Sequence, residues 1–219
     1  MQTSAPTTLE CNQRHDRAGL HSCPAHCSPS RSKYKTIVAD PPWPIAKDWP
    51  VGRIPNGKVH DGRRTPIPYP TMKMEEIAAL PIGELADRDA HLYVWTVNRF
   101  LGETIAIVKA WGFRYTQTLV WAKTPMGIGP GGTFAGNVEF IILAKRGSLK
   151  PLRRVETMWW NWPRTGKHSA KPEAFQDLVE SVSPPPYLEI FARRNRLGWH
   201  TWGNEALNHV ELVTGNDLR

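Results

Sequence analysis

Cysteine is scarce and confined, since Cys11, Cys23 and Cys27 are the only three and all fall within the first 27 of 219 residues. That distribution excludes a disulfide-stapled core for the rest of the chain. Long apolar runs are missing too. The best, Phe140 to Ala144, is strand-sized and far short of the roughly 20 residues of a membrane-spanning helix. Acidic residues are outnumbered 20 to 28 by Lys and Arg, leaving a formal net charge of +8. An excess of that sign favours an anionic partner, a nucleic acid or an acidic membrane surface. The first thirty residues have no apolar centre of the kind a secretory signal needs, so an intracellular, cytoplasmic protein of bacterial or phage type is expected.

What is present reads as one α/β domain, because 219 residues can bury a single sizeable core. Residues 1–33 show no hydrophobic periodicity and are expected to form a disordered or weakly structured extension. The domain is expected over 34–206, with a tail over 207–219. Short runs of apolar β-formers predict strands at Lys35–Ala39, His91–Val97, Tyr115–Lys123, Val138–Lys145, Val155–Trp160 and Tyr187–Ala192. Amphipathic patterns predict helices at Met72–Leu80, Arg99–Trp111 and Pro172–Val182, the second closed by Gly112 and the third opened by Pro172. Alternation of strand and helix implies a doubly wound, mostly parallel sheet. Residues 44–70 and the glycine-rich 124–137 break the pattern and read as long functional loops, which in such sheets gather at the carboxyl ends of the strands.

The first strand runs directly into Asp40-Pro41-Pro42-Trp43, so a carboxylate is expected at that carboxyl edge. Prolines fix φ and carry no N–H, which predicts a stiff turn whose carbonyls are free to accept from a ligand. Two acceptors, the Asp40 carboxylate and the Pro41 carbonyl, suit an amino group conjugated to a purine ring. Its lone pair is delocalised, and holding both N–H groups would draw the nitrogen toward tetrahedral geometry. Trp43 would stack on the base. The plainer alternative is a strand ending in a turn, with Trp43 packed on the core.

Further segments follow in a specific order: Tyr69-Pro70-Thr71-Met72, Leu92-Tyr93-Val94-Trp95 with Asn98, Val138-Glu139, His168-Ser169-Ala170-Lys171-Pro172, Glu189-Ile190-Phe191-Ala192-Arg193 and Trp202-Gly203-Asn204-Glu205. With Ala39-Asp40-Pro41-Pro42-Trp43 they make residues 34–205 resemble the MT-A type of adenine-N6 methyltransferases. The resemblance implies a Rossmann-like, S-adenosylmethionine-dependent methyltransferase fold with a circularly rearranged motif order, in which the catalytic tetrapeptide precedes the cofactor-binding segments. It implies methyl transfer to N6 of adenine in nucleic acid.

S-adenosylmethionine presents a carboxylate, an ammonium, a ribose diol and an adenine, and a site for it needs complementary groups. Lys171 stands just before a helical Pro172, where an ammonium and a helix amino end can hold a carboxylate. The resemblance assigns Lys171 to the methionine carboxylate and Asp40 also to its amino group. Arg193, Asn195, Asn204 and Glu205 it places around the ribose and adenine. Without the resemblance, Arg193 reads equally as a surface charge and Lys171 as incidental. Glu139 reads as an ion-pair partner of Lys171 or a satisfied half-buried acid, and His168 as a pocket-orienting or surface residue.

The first long loop carries Lys47, Arg53, Lys58, Arg63 and Arg64 among Trp49 and Tyr69. Such mixing suits a surface that clamps a backbone and stacks on bases, and Lys47, Trp49, Arg63, Arg64 and Tyr69 join Trp43 as candidate substrate-binding residues; an ordinary solvated loop is the alternative. Lys145, Arg146, Lys150, Arg153 and Arg154 form a second basic cluster, for which a solvated surface is the leading reading. Cys11, His15, Cys23 and Cys27 have the ligand types for zinc but no familiar finger spacing, so a metal-free tail is expected. DNA is favoured over RNA because the chain is compact and shows no RNA-binding module. A homo- or heterodimer is compatible with the sequence, as are two rival functions: a catalytically silent nucleic-acid-binding subunit, and a methyltransferase for small-molecule or protein amines.

Overall fold

The structure, a computed structural model, describes residues 33–45, 52–53, 59–60, 70–123, 133–134, 136–164 and 169–212. Strand β1 (Tyr34–Ala39) leads to a short antiparallel pair, β2 (Gly52–Arg53) and β3 (Val59–His60), and then to helices α1 (Met74–Ala78) and α2 (Ile82–Leu85). Strand β4 (Ala86–Thr96), a 3-10 turn at Asn98–Phe100 and helix α3 (Leu101–Ala110) follow. Strands β5 (Arg114–Ala122), β6 (Val138–Arg146) and β7 (Trp159–Trp160), helix α4 (Glu173–Val182), and strands β8 (Tyr187–Ile190) and β9 (Trp199–Trp202) complete the order.

One sheet of seven strands runs in the order β7-β5-β6-β4-β1-β8-β9. β1 is parallel to β4 and β8, β8 to β9, and β5 to β7, whereas β6 is antiparallel to both its neighbours. Strands buried on two faces read as continuous apolar runs, and their side chains still alternate. Ile37 and Ala39 of β1, Leu92 and Val94 of β4 and Ile142 and Ala144 of β6 enter one core. Val38, Tyr93, Trp95, Ile141 and Leu143 enter the other. The first core is covered by Ile77, Ile82, Leu85, Ile107 and Val108 from α1, α2 and α3, the second by Phe175 and Val179 of α4. Helices on both faces of a mostly parallel sheet make the fold doubly wound.

Helix α3 ends as its sequence requires. Gly112 has φ +83, and the Gly112 and Phe113 amides donate to the carbonyls of Lys109 (2.9 Å) and Val108 (3.1 Å), a left-handed cap in which glycine carries no Cβ penalty.

Four elements differ from the sequence expectation. β5 and β6 pair directly, with no helix between them, and this reverses β6. The expected strand Val155–Trp160 is a strand only at Trp159–Trp160, because Thr157 Oγ1 takes the Trp159 amide (3.2 Å) in a local turn. β9 was not anticipated: its four residues alternate Trp199 and Thr201 inward with His200 outward, too short a pattern to separate from a loop. Residues 207–212 are not a free tail. Val210 and Leu212 pack on the first core, the His209 ring stacks on His200 at 5.2 Å, and the Leu207 carbonyl accepts from Thr201 Oγ1.

Candidate active site

Asp40 leaves β1 at the carboxyl edge, where its amide donates to the Ile190 carbonyl of β8 (3.3 Å). The chain then turns sharply. The Trp43 amide donates to the Pro41 carbonyl (2.8 Å), the Ile45 amide to the Trp43 carbonyl (2.7 Å) and the Met72 amide to the Pro42 carbonyl (2.9 Å). The expectation that the proline carbonyls stand free is therefore corrected: each already accepts one bond, and its second lone pair is what remains for a ligand.

Trp43 also departs from its expected place. Its indole is 4% exposed, its Nε1–H donates to the Trp95 carbonyl (2.9 Å), and its ring lies against Phe100 at 5.9 Å. A ring used this way cannot also stack on a base. Apolar burial outweighs exposure here because the 3-10 turn after β4 opens a slot beside the turn, and the indole N–H finds a partner inside it.

Behind Asp40 lies a line of alternating charges drawn from four segments. Lys171 Nζ sits 2.9 Å from Asp40 Oδ1 and 3.1 Å from Glu139 Oε2, and Lys123 Nζ is 2.5 Å from Glu139 Oε1. Lys171 also lies over the Trp95 ring at 5.2 Å, a favourable place for a cation. Buried charges persist only when paired, and each carboxylate here has an ammonium. Burial pushes the Asp40 carboxyl above its ordinary value, and Lys171 pulls only part of that back. For Glu139 burial acts in the same upward direction, but two lysines outweigh it and hold the acid below its usual range. Burial alone would lower Lys171; Asp40 and Glu139 together raise it instead, so it stays protonated.

The backbone of Lys171 is held by a second network. Arg194 Nη1–H donates to the Lys171 carbonyl (3.3 Å), and Arg194 Nη2–H to Gln176 Oε1 (2.7 Å). Gln176 Nε2–H in turn donates to Glu189 Oε2 (2.7 Å). Burial pushes Glu189 up to about 7, with Arg194 opposing. A carboxyl with a raised folded-state pKa binds its proton more tightly folded than unfolded. Stability must therefore rise as pH falls from about 7 toward the unfolded value of about 4.3. Glu189→Gln should flatten that part of a melting-temperature profile; parallel profiles for wild type and variant would show that Glu189 is not perturbed.

In front of Asp40 is a cleft between the carboxyl ends of β1 and β8. Thr71, Met72, Ser169 and Phe191 form parts of its wall, and Arg193, Asn204 and Glu205 its polar rim. Arg193 Nε–H donates to Glu205 Oε1 (2.7 Å). Ser169 (φ +62) and Phe191 (φ +65), the non-glycine residues with positive φ among those described, both line it; such conformations cost energy and gather at functional sites. Gly203 is required nearby, since a Cβ there would collide with the Ala192 backbone.

A family model described as MT-A70 matches residues 34–205. The chain belongs to the MT-A70 family. Among MT-A70 relatives, the type II methyltransferase M.MunI of a Mycoplasma species is 30% identical over 199 residues, covering 86% of this chain and 84% of that protein. Human N(6)-adenine-specific methyltransferase METTL4 is 27% identical over 208 residues, and a Drosophila melanogaster N(6)-adenosine-methyltransferase MT-A70-like protein 25% identical over 190. Each of these two matches covers 83% of this chain, but only 39% and 28% of the respective relatives. The seven-stranded sheet is the Rossmann-like methyltransferase fold of MT-A70 proteins, and the chain is an enzyme of that class.

Within this MT-A70 frame the structure brings Asp40, Pro41, Pro42, Arg193, Asn204 and Glu205 to one cleft. Lys171 stands behind it on Asp40. Asn195 is used elsewhere: its Oδ1 accepts from the Leu207 amide (2.9 Å) and lies 3.4 Å from Thr201 Oγ1, which ties the segment after β9 to the loop before it. A short amide side chain in that loop meets the returning chain before it can reach the cleft. Lys47, Trp49, Arg63, Arg64, Tyr69 and His168 lie outside the described residues, as do Cys11, His15, Cys23 and Cys27. Lys123 was missed in the sequence reading. Its only signal is its place at the end of β5, which faces Glu139 only once β5 and β6 are known to be antiparallel.

Proposed function

We propose that this MT-A70 enzyme binds S-adenosylmethionine in the cleft in front of Asp40 and methylates N6 of adenine in nucleic acid, DNA in preference to RNA. The observation that carries this reading is a buried carboxylate, braced by Lys171, at the mouth of a cleft bearing a cation, an amide and a second carboxylate. Those groups fit the cofactor: Arg193, Asn204 and Glu205 match a ribose and adenine, and Asp40 an ammonium. When bound, S-adenosylmethionine supplies an electrophilic methyl group.

The protein's part is to prepare the amino nitrogen. The Asp40 carboxylate and the second lone pair of the Pro41 carbonyl accept its two N–H groups and free the nitrogen lone pair. Burial raises the proton affinity of Asp40, which strengthens it as an acceptor. The turn's own hydrogen bonds fix both acceptors in advance, so little reorganisation is needed as charge develops. Lys171 keeps Asp40 in place and offers further N–H donors to a carboxylate.

Incubation with radiolabelled cofactor and matched single- and double-stranded DNA and RNA, followed by nucleoside analysis, tests this reading. N6-methyladenine formed in DNA is the expected product, and label in any other nucleoside overturns it. Lys171→Ala should weaken cofactor binding by about 1.5–3 kcal/mol, the range for a hydrogen bond to a charged group. Calorimetry on the folded variant measures it; an unchanged Kd removes Lys171 from cofactor binding.

A further inference from the structure

A second cavity, of about 550 Å³, opens on the α4 side of the sheet, between α4 and the segment linking β6 to β7. Its size is that of a small-molecule site. Tyr93, Leu119 and Leu143 from three strands give it an apolar floor, and Lys145, Arg153, Arg154, Gln117, Met158 and Trp160 surround that floor. Three cations face one acid in the lining, Glu156. Among the described residues neither Lys145 nor Arg154 is paired with a carboxylate, and Arg153 spends one N–H on Ser181 Oγ (2.9 Å).

The cationic wall is built onto the fold. His91 Nε2–H donates to the Leu149 carbonyl (3.1 Å), with His91 Nδ1 and the Tyr93 hydroxyl both on Ser183 Oγ (2.7 and 2.8 Å). The Leu152 amide donates to the Val182 carbonyl (2.8 Å), and the Val120 amide to the Met158 carbonyl (2.8 Å). Both ends of the segment that carries Arg153 and Arg154 are thereby anchored, which gives a binding site its rigidity in advance.

We infer that this cavity binds a nucleoside phosphate, either free or as one unit of a polynucleotide strand. Guanidinium groups suit the phosphate by paired N–H donation. An aromatic and a thioether over an apolar floor suit the flat face of a base. Gln117, whose described side-chain contact is a 3.6 Å donation to Met158 Sδ, keeps a carbonyl and an N–H for a base edge. The inference uses the opposite face of the sheet from Asp40's brace of strands and helices α1–α3, and does not depend on the reaction proposed for the cleft.

The test uses the full chain with the cleft saturated by S-adenosylhomocysteine. A single-stranded 12-nucleotide DNA carrying 5-bromodeoxyuridine is photo-crosslinked and the linked peptides are mapped, and its Kd is measured with deoxyadenosine monophosphate as competitor. Crosslinks to the Thr157–Trp160 peptide are expected. Arg153→Ala/Arg154→Ala should raise the Kd at least ten-fold and reduce the slope of log Kd against log salt by about 1.4, roughly 0.7 per lost phosphate contact on a single strand. S-adenosylhomocysteine affinity should be unchanged. Displacement by the mononucleotide marks a free-nucleotide site, and failure to displace a strand-unit site; both support the inference. Crosslinks confined to peptides around Asp40, or a Kd and salt slope untouched by the double substitution, overturn it while leaving the cleft reading intact.

Discussion

Asp40→Asn should lower kcat by on the order of 10²–10³ at saturating cofactor, the usual cost of losing a preorganised electrostatic group. Asparagine keeps the shape and one acceptor oxygen of Asp40 but loses the charge that opposes positive charge developing on the amino nitrogen. That interaction is strongest in the transition state, so kcat falls while nucleic-acid affinity barely moves. The substitution also leaves Lys171 with Glu139 alone at 3.1 Å, an intact ion pair, so the fold should survive. A parallel melting curve checks that point. Turnover within a few-fold of wild type, with N6-methyladenine still the product, would take the catalytic role away from Asp40.

Trp43→Ala should act through stability. An indole 4% exposed, with its N–H on the Trp95 carbonyl and its face on Phe100, is a core residue, and emptying such a site costs about 3–5 kcal/mol. In a chain of this length that lowers Tm by roughly 6–20 °C. The turn that holds Asp40 and the Pro41 carbonyl would loosen with it, so kcat should fall as well. Trp43→Phe keeps most of the packing and loses the N–H bond, costing only about 1 kcal/mol for that bond. If Trp43 stacked on the substrate base, alanine would leave Tm alone and weaken base capture by roughly 1–3 kcal/mol instead. The two outcomes cannot be confused in a melting experiment.

The same tetrapeptide shows where sequence reasoning stops. Asp40 was placed correctly at a strand's carboxyl edge because Lys35 to Ala39 is an apolar run and the chain must leave the sheet after it. The direction of the Trp43 ring was not legible. An indole beside prolines at a sheet edge can face either way, and what decides is the slot left by Phe100, some sixty residues on. Glu139 had a role in prospect as an ion-pair partner of Lys171. Its second partner Lys123 had none, because the glycine-rich stretch after Lys123 hid the direct antiparallel pairing of β5 with β6.

By itself the sequence determined the α/β class, the central strands β1, β4, β6 and β8, helices α3 and α4, and the family motifs. Hydrophobic period and capping are local, and each shows within a dozen residues. Only the tertiary structure decided the reversal of β6, the added edge strand β9 and the return of residues 207–212 onto the core. It alone joined Asp40, Lys171, Glu139 and Lys123 into one line of charge. Those outcomes depend on which segments meet in space, and the free energy of a buried charge depends on the partner that arrives from elsewhere in the chain.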